Sequence, residues 1–233
     1  VEPYYSDGSV SLWHGDSLEL LPSMLAAGEA HTVLTDPPFF MPAQQYAGRT
    51  LTTLRTWSDT SVLSAWWGLV VDALMPKVRG DGHFMTFCDH ASYAVFYPAI
   101  YTRFPNITCL TWDKGRPGMG TAWRASTEFV IAARGNSAHW TGGAVGTVLR
   151  CTPVPSGQRW HQVEKPVPLL RELLRPTTRP GGLVVDPFAG GGSTLIAARD
   201  LGLRAIGVEA EERFCEVIAR RLSQEALPIG ATS

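Results

Sequence analysis

Two short segments carry residue types and spacings that could do chemistry. The first is Val33-Leu34-Thr35-Asp36-Pro37-Pro38-Phe39-Phe40, an apolar run ending in an acid and two prolines. Consecutive prolines fix φ and remove two N–H donors, so the local carbonyls stay free to accept hydrogen bonds. A carboxylate on Asp36, the carbonyl of Pro37 and the aromatic face of Phe39 suit a flat ring bearing an amino group. Such a group donates two hydrogens, and its ring stacks through its π face. The second segment is Val184-Val185-Asp186-Pro187-Phe188-Ala189-Gly190-Gly191-Gly192-Ser193-Thr194, a strand pattern running through glycines into a helix pattern. Glycines let the backbone approach a ligand closely. This turn lacks the third glycine of a dinucleotide fingerprint, since Leu195 stands there, and it lacks the Gly-Lys-Ser/Thr ending of a phosphate loop. A phosphate ligand is therefore disfavoured. Glu209 closes the following strand pattern, where a carboxylate can accept both hydroxyls of a ribose. Each segment alone is also compatible with an ordinary strand-ending turn.

Taken together and in this order, the two segments resemble the motifs of the amino-group DNA methyltransferases of the permuted beta class. Gly15-Asp16-Ser17-Leu18-Glu19, Trp112-Asp113-Lys114, Ser126-Thr127-Glu128-Phe129 and His161-Gln162-Val163-Glu164-Lys165-Pro166 extend the resemblance over residues 10–222. It implies S-adenosyl-L-methionine as cofactor, with Asp186, Phe188, Ala189 and Gly190 around its methionine part and Glu209 on its ribose. Asp16 would approach the cofactor adenine, and Lys165 its carboxylate. Asp36, Pro37, Pro38 and Phe39 would form the catalytic segment, acting on a base flipped out of double-stranded DNA. The implied reaction is direct methyl transfer to an exocyclic amino nitrogen. Asp rather than Ser before the two prolines favours N6 of adenine, with N4 of cytosine as the alternative. A non-catalytic, cofactor-binding subunit is the more distant one. Phe39 departs from the commoner Tyr, and Gln162-Val163 from a frequent Pro-Thr. A homodimer and a cognate restriction enzyme are partners the resemblance leaves open.

Positioning these segments requires a scaffold, and the hydrophobic pattern supplies one. Short β-branched runs alternate with helix-compatible stretches, the signature of an α/β fold whose mostly parallel sheet carries helices on both faces. Strands are expected at Val10–His14, Thr32–Thr35, His83–Cys88, Ile107–Trp112, Glu128–Ala133, Leu183–Val185 and Ala205–Val208. That makes a Rossmann-like sheet of seven strands in circularly permuted order. Helices are expected near 17–26, 61–75, 91–101, 166–175, 193–201 and 211–223. Phe214, Val217, Ile218 and Leu222 on the last form a stripe expected to pack as core. Stretches 40–60 and 135–160 lack periodicity and are expected as loops or small insertions that engage DNA.

A chain of 233 residues fits a single catalytic domain, 1–233, with a core large enough to need no staple. Cys88, Cys109, Cys151 and Cys215 form no Cys-x-x-Cys pair, which argues against zinc and against a disulfide framework. None is expected as a nucleophile. The opening residues have no signal-peptide pattern and charges interrupt every long apolar stretch, so a cytoplasmic protein without membrane contact is expected. The formal net charge is −1, yet residues 1–40 hold six acids and no Lys or Arg, whereas 41–160 hold eleven Lys or Arg against six acids. A DNA surface would draw on that middle stretch: Arg103, Lys114, Arg116, Arg124, Arg134, Arg150 and Arg159. Trp57, Trp66 and Trp67 are candidates for core, a subunit interface or a loop prop.

Overall fold

The structure is a computed structural model, and it describes residues 2–39, 59–118, 122–161 and 163–225. Their strands are β1 (Tyr5–Ser6), β2 (Val10–His14), β3 (Ala30–Thr35), β4 (Val78–Cys88), β5 (Asn106–Asp113), β6 (Thr127–Arg134), β7 (Val148–Arg150), β8 (Leu183–Asp186) and β9 (Arg204–Glu209). They form one sheet in the order β1-β2-β9-β8-β3-β4-β6-β5-β7. All seven expected strands are present, and the expected number is corrected to nine by β1 and β7, which extend the two edges. Two- and three-residue strands carry no readable alternation. β7 exists because it pairs in parallel with β5, Thr111 opposite Val148. Leu149 is thereby buried, and the Trp112 indole donates to the Cys151 carbonyl at 2.7 Å. Stretch 135–160 is thus not wholly loop, while most of stretch 40–60, Phe40 and Trp57 included, lies outside the described residues.

From β2 through β4 the pairings are parallel, and β6 runs antiparallel between β4 and β5. The helices are α1 (Ser17–Met24), α2 (Thr60–Leu74), α3 (His90–Tyr101), α4 (Val167–Thr177), α5 (Ser193–Asp200) and α6 (Glu212–Glu225). α1–α3 bury their apolar sides in one core with Trp67, Phe84 and Phe96, and α4–α6 in a second with Leu12, Leu34 and Leu195. Asp16, Asp59 and Asp89 cap α1, α2 and α3, accepting from the amides of Leu18, Ser61 and Ser92 at 2.7–2.8 Å. Each cap satisfies a helix amide that has no partner within the helix. Among the described residues no helix is long and apolar enough to cross a membrane.

β3 and β8 lie side by side, but the chain leaves β3 through α2 toward β4 and leaves β8 through α5 toward β9. The connections diverge, so a crevice opens beyond the carboxyl ends of these two strands, where open α/β sheets place ligands.

The fully buried Trp67 stacks on Phe96 with centroids 4.4 Å apart, and its indole donates to the Phe96 carbonyl at 3.3 Å. Trp67→Ala is expected to destabilise the protein by about 3–5 kcal/mol through the cavity it leaves. A urea midpoint lowered at unchanged m-value is the measurement that checks this.

Candidate active site

The crevice is a cavity of about 520 Å³ lined by residues at the carboxyl ends of β2, β3, β8 and β9 together with Trp66, His161 and Phe214. Asp36, Pro37 and Pro38 enter it directly after β3, and Phe188 and Gly190 after β8. Glu209 to Glu211 enter from the end of β9, and Asp16 and Ser17 from the cap and start of α1. An adjoining recess of about 50 Å³ brings Lys165, Asp186, Ala189 and Thr194 to the same place. Every expected site residue except Phe39 borders one of the two. The Phe39 ring is instead half-buried against both cores.

The glycine turn is built for close approach. Gly190 has φ +53° and Gly192 φ +79°, the left-handed region that favours glycine. A Cβ on Gly192 would stand 2.9 Å from Ile218, so no other residue fits between the turn and α6. Asp186 anchors the turn from below, accepting from the Thr35 hydroxyl at 2.9 Å and the Phe188 amide at 3.1 Å. Burial raises its carboxyl to about 6 against the pull of these hydrogen bonds and of the Thr194 hydroxyl. Glu209 accepts the Gly190 amide at 2.9 Å and the Glu211 amide at 2.8 Å. Ser17 of α1 donates to the Pro187 carbonyl, which ties α1 to the same turn.

A chain of part-buried ion pairs, with Lys165 buried at its centre, stands behind Asp36. Lys165 Nζ lies 2.5 Å from Asp36 Oδ2 and 3.3 Å from Glu128 Oε2, and Lys114 Nζ lies 2.5 Å from Glu128 Oε1. Burial opposes the charge on Lys165, yet Asp36 and Glu128 hold its pKa above the ordinary value. Burial also pushes Glu128 up, but Lys165 and Lys114 hold it below its ordinary range. At Asp36 burial prevails over Lys165 and the carboxyl rises to about 6. The family resemblance implies a cofactor carboxylate as the partner of Lys165; in the structure its ammonium engages these two acids. The charge pattern placed Lys114 in the pool of DNA contacts and gave Glu128 no role. Their signal was a lysine directly after β5 and a glutamate near the start of β6, opposite charges at adjoining strand ends. Arg103 of that pool is likewise engaged within the protein, by Asp72 of α2.

The expected core stripe of α6 is corrected at its first member. Cys215, Ile218 and Leu222 are buried, but Phe214 overhangs the strand ends, lines the cavity and meets His161 edge-on at 4.5 Å. Trp66 also lines the cavity, 5.5 Å from Phe188, whereas Trp67 is core. Arg221, which sequence reasoning passed over, pairs with Glu164 at 2.9 Å and donates to the Gly191 carbonyl, while Glu164 accepts from Ser193 at 3.1 Å. Both partners of this pair are almost wholly buried, at 6% and 4% exposure. Arg221→Ala leaves the Glu164 carboxylate buried without its counter-charge and is expected to cost about 3–5 kcal/mol, read from the denaturant midpoint. Arg221→Lys should recover part of it.

A family described as DNA methylase matches residues 112–220. YubD of Escherichia coli (strain K12), which carries the name of a methylase, is 30% identical over 215 residues covering 86% of each chain. The type II methyltransferase M2.DpnII of Streptococcus pneumoniae is 24% identical over 255 residues, covering 97% of this chain and 94% of that one. Among solved structures, the cytosine-N4-specific PvuII DNA methyltransferase shares the fold at a TM-score of 0.73 and 17% identity over 95% of each chain. The M1.HpyAVI–SAM complex does so at a TM-score of 0.68 and 20% identity, over 91% of this chain and 99% of that one. With its two motifs gathered at one crevice and a relative this similar over most of its length, the chain belongs to the N6-adenine/N4-cytosine family of DNA methylases.

Proposed function

We propose that this chain transfers a methyl group from S-adenosyl-L-methionine to the exocyclic amino nitrogen of a flipped-out base in double-stranded DNA, N6 of adenine. The observation that carries the reading is Asp36 Oδ1, an enclosed acceptor with no hydrogen-bond partner among the described residues, while Oδ2 is held by Lys165. A buried acceptor without a donor is costly, and an incoming amino hydrogen would recover that cost.

The cavity fits the cofactor. Its volume falls within the range of small-molecule sites. It presents carboxylates on Asp16 and Glu209, aromatic surfaces on Trp66, Phe188 and Phe214, and a glycine turn a ligand can approach closely. Each Glu209 oxygen accepts one backbone amide and keeps a second lone pair for a ribose hydroxyl. When bound, S-adenosyl-L-methionine supplies an electrophilic methyl group on its sulfonium.

Asp36 and the Pro37 carbonyl accept the two amino hydrogens, which orients the nitrogen lone pair toward the methyl donor. Lys165 fixes the Asp36 carboxylate from the far side, and Glu128 with Lys114 fixes Lys165. Phe39, with the Lys165 ammonium 5.3 Å from its ring centroid, follows Pro38 as the aromatic face for the base. Acceleration of this kind is positioning and electrostatics, without a metal or a covalent intermediate. The amino group of cytosine presents the same two hydrogens, so N4 methylation is the second reading. Residues 40–60 and 135–160 are assigned to DNA contact.

Expression in a methylation-free host with single-molecule mapping of modified bases tests the proposal. N6-methyladenine at a defined sequence is expected, and N4-methylcytosine would reassign the base. Cofactor binding without any modified base would replace the reading with a binding subunit. Asp36→Ala is expected to abolish transfer while leaving cofactor affinity within a few-fold by calorimetry. Glu209→Ala should instead weaken cofactor binding by about 1–3 kcal/mol.

The rate should also show an acidic limb. With the Asp36 carboxyl raised to about 6, lowering the pH through that value protonates the acceptor and activity falls. That loss is distinct from unfolding, because a carboxyl raised in the folded state binds more protons there than in the unfolded chain. Its own contribution to stability therefore grows as pH falls between the two pKa values. A pH–rate profile run beside a pH–unfolding series checks both.

A further inference from the structure

β5 and β6 form a hairpin whose described flanks, residues 114–118 and 122–126, leave the sheet at the same end as Asp36. β5 is parallel to β4, and Asp113 pairs with Thr127 where the two strands of the hairpin leave the sheet. Its root is clamped by the Lys114 amide on the Ser126 carbonyl at 2.9 Å and the Gly118 amide on the Ala125 carbonyl at 2.8 Å. Lys114 also begins the ion-pair chain that ends on Asp36. Two to three strand spacings separate β3 from this root, roughly 10–14 Å. Trp123, four residues before Thr127, reaches up to about 13 Å beyond it.

Two properties of these flanks stand out among the described residues. Trp123 is fully exposed, at 101%, more than twice the exposure of Trp140 and Trp160, whereas Trp67 and Trp112 are buried. It follows Ala122, whose φ of +57° makes it the one non-glycine with positive φ among the described residues. Backbone held in that region is strained, and here it precedes an indole presented to solvent. The sequence from 114 to 127 contains Lys114, Arg116 and Arg124 and no acid. Arg116 and Arg124 are exposed, with no ion-pair partner among the described residues.

We infer that this hairpin is a wedge that opens double-stranded DNA beside the crevice, with Trp123 stacking against the bases and Arg116 and Arg124 gripping the phosphates. A solvated indole gains from a base face of any sequence, and unpaired guanidinium groups match a polyanion. Stacking in the space left by an extruded base lowers the cost of extrusion, which is the step a duplex imposes before its amino nitrogen can reach Asp36. The inference rests on the methyl-transfer reading for the use of the wedge, but not for its grip on DNA.

Two measurements test it. Fluorescence anisotropy on a labelled duplex, over a series of salt concentrations, reads the grip without any transfer. The double variant Arg116→Ala/Arg124→Ala should lower the slope of log affinity against log salt by about two. Methyl transfer to a duplex carrying the mapped site, with the target base paired or mismatched, reads the wedge. Trp123→Ala should slow transfer to the paired duplex about tenfold, the order of one base–aromatic stack, and recover most of it on the mismatch. Trp123→Phe should restore much of the rate. An unchanged salt slope would overturn the inference, as would equal losses on paired and mismatched duplexes or parental transfer by Trp123→Ala. Dissociation of a dimer in Trp123→Ala would overturn it too, because the face would then join two copies of this chain. If the parent transfers no methyl group, the methyl-transfer reading fails, and the anisotropy series alone judges the hairpin.

Discussion

The parallel pairing of β3 with β8 is the constraint on which the rest of the site depends. Thr32 lies opposite Val184 and Val33 opposite Val185, so segments about 150 residues apart in the chain become neighbours. Both strands are almost wholly buried, and a slip of one residue would turn every side chain to the wrong face. With that register, Thr35 reaches Asp186, and Asp36 emerges one residue beyond the strand into the same crevice. The divergent crossovers through α2 and α5 keep the crevice open.

The charged groups behind Asp36 show how an acid is kept in a closed place. Two lysines and two carboxylates alternate along one chain of contacts, so the cluster is neutral overall. Burying ions is expensive, and the expense is offset only where each keeps a close counter-charge. Glu128 and Lys165 each keep one on both sides, which Asp36 lacks. That asymmetry is why burial raises the carboxyl of Asp36 while Glu128 is held low.

Glu164 and Lys165 are consecutive residues with separate tasks. Glu164 holds Arg221 and Ser193 and so braces the glycine turn, whereas Lys165 holds Asp36 beneath the other motif. Two neighbouring side chains thereby serve both halves of the site. The turn further depends on Gly192, which nothing larger can replace against Ile218.

The sequence by itself determined the elements and the two motifs. Apolar runs such as Thr32–Thr35 and Leu183–Val185 are local properties, and the helices announced themselves by period. Asp36-Pro37-Pro38 and Asp186 to Thr194 were legible because proline and glycine constrain the backbone wherever they stand. Only the tertiary structure decided who meets whom. The partners of Lys165, the brace from Arg221, the place of Phe214 on the cavity wall and the strand at Val148–Arg150 all arise from contacts between distant segments. Periodicity records which face of an element is apolar but not which element will cover it. The charge of Asp36 takes its meaning from Lys165, more than a hundred residues away, and that pairing exists only once the sheet has brought the segments together.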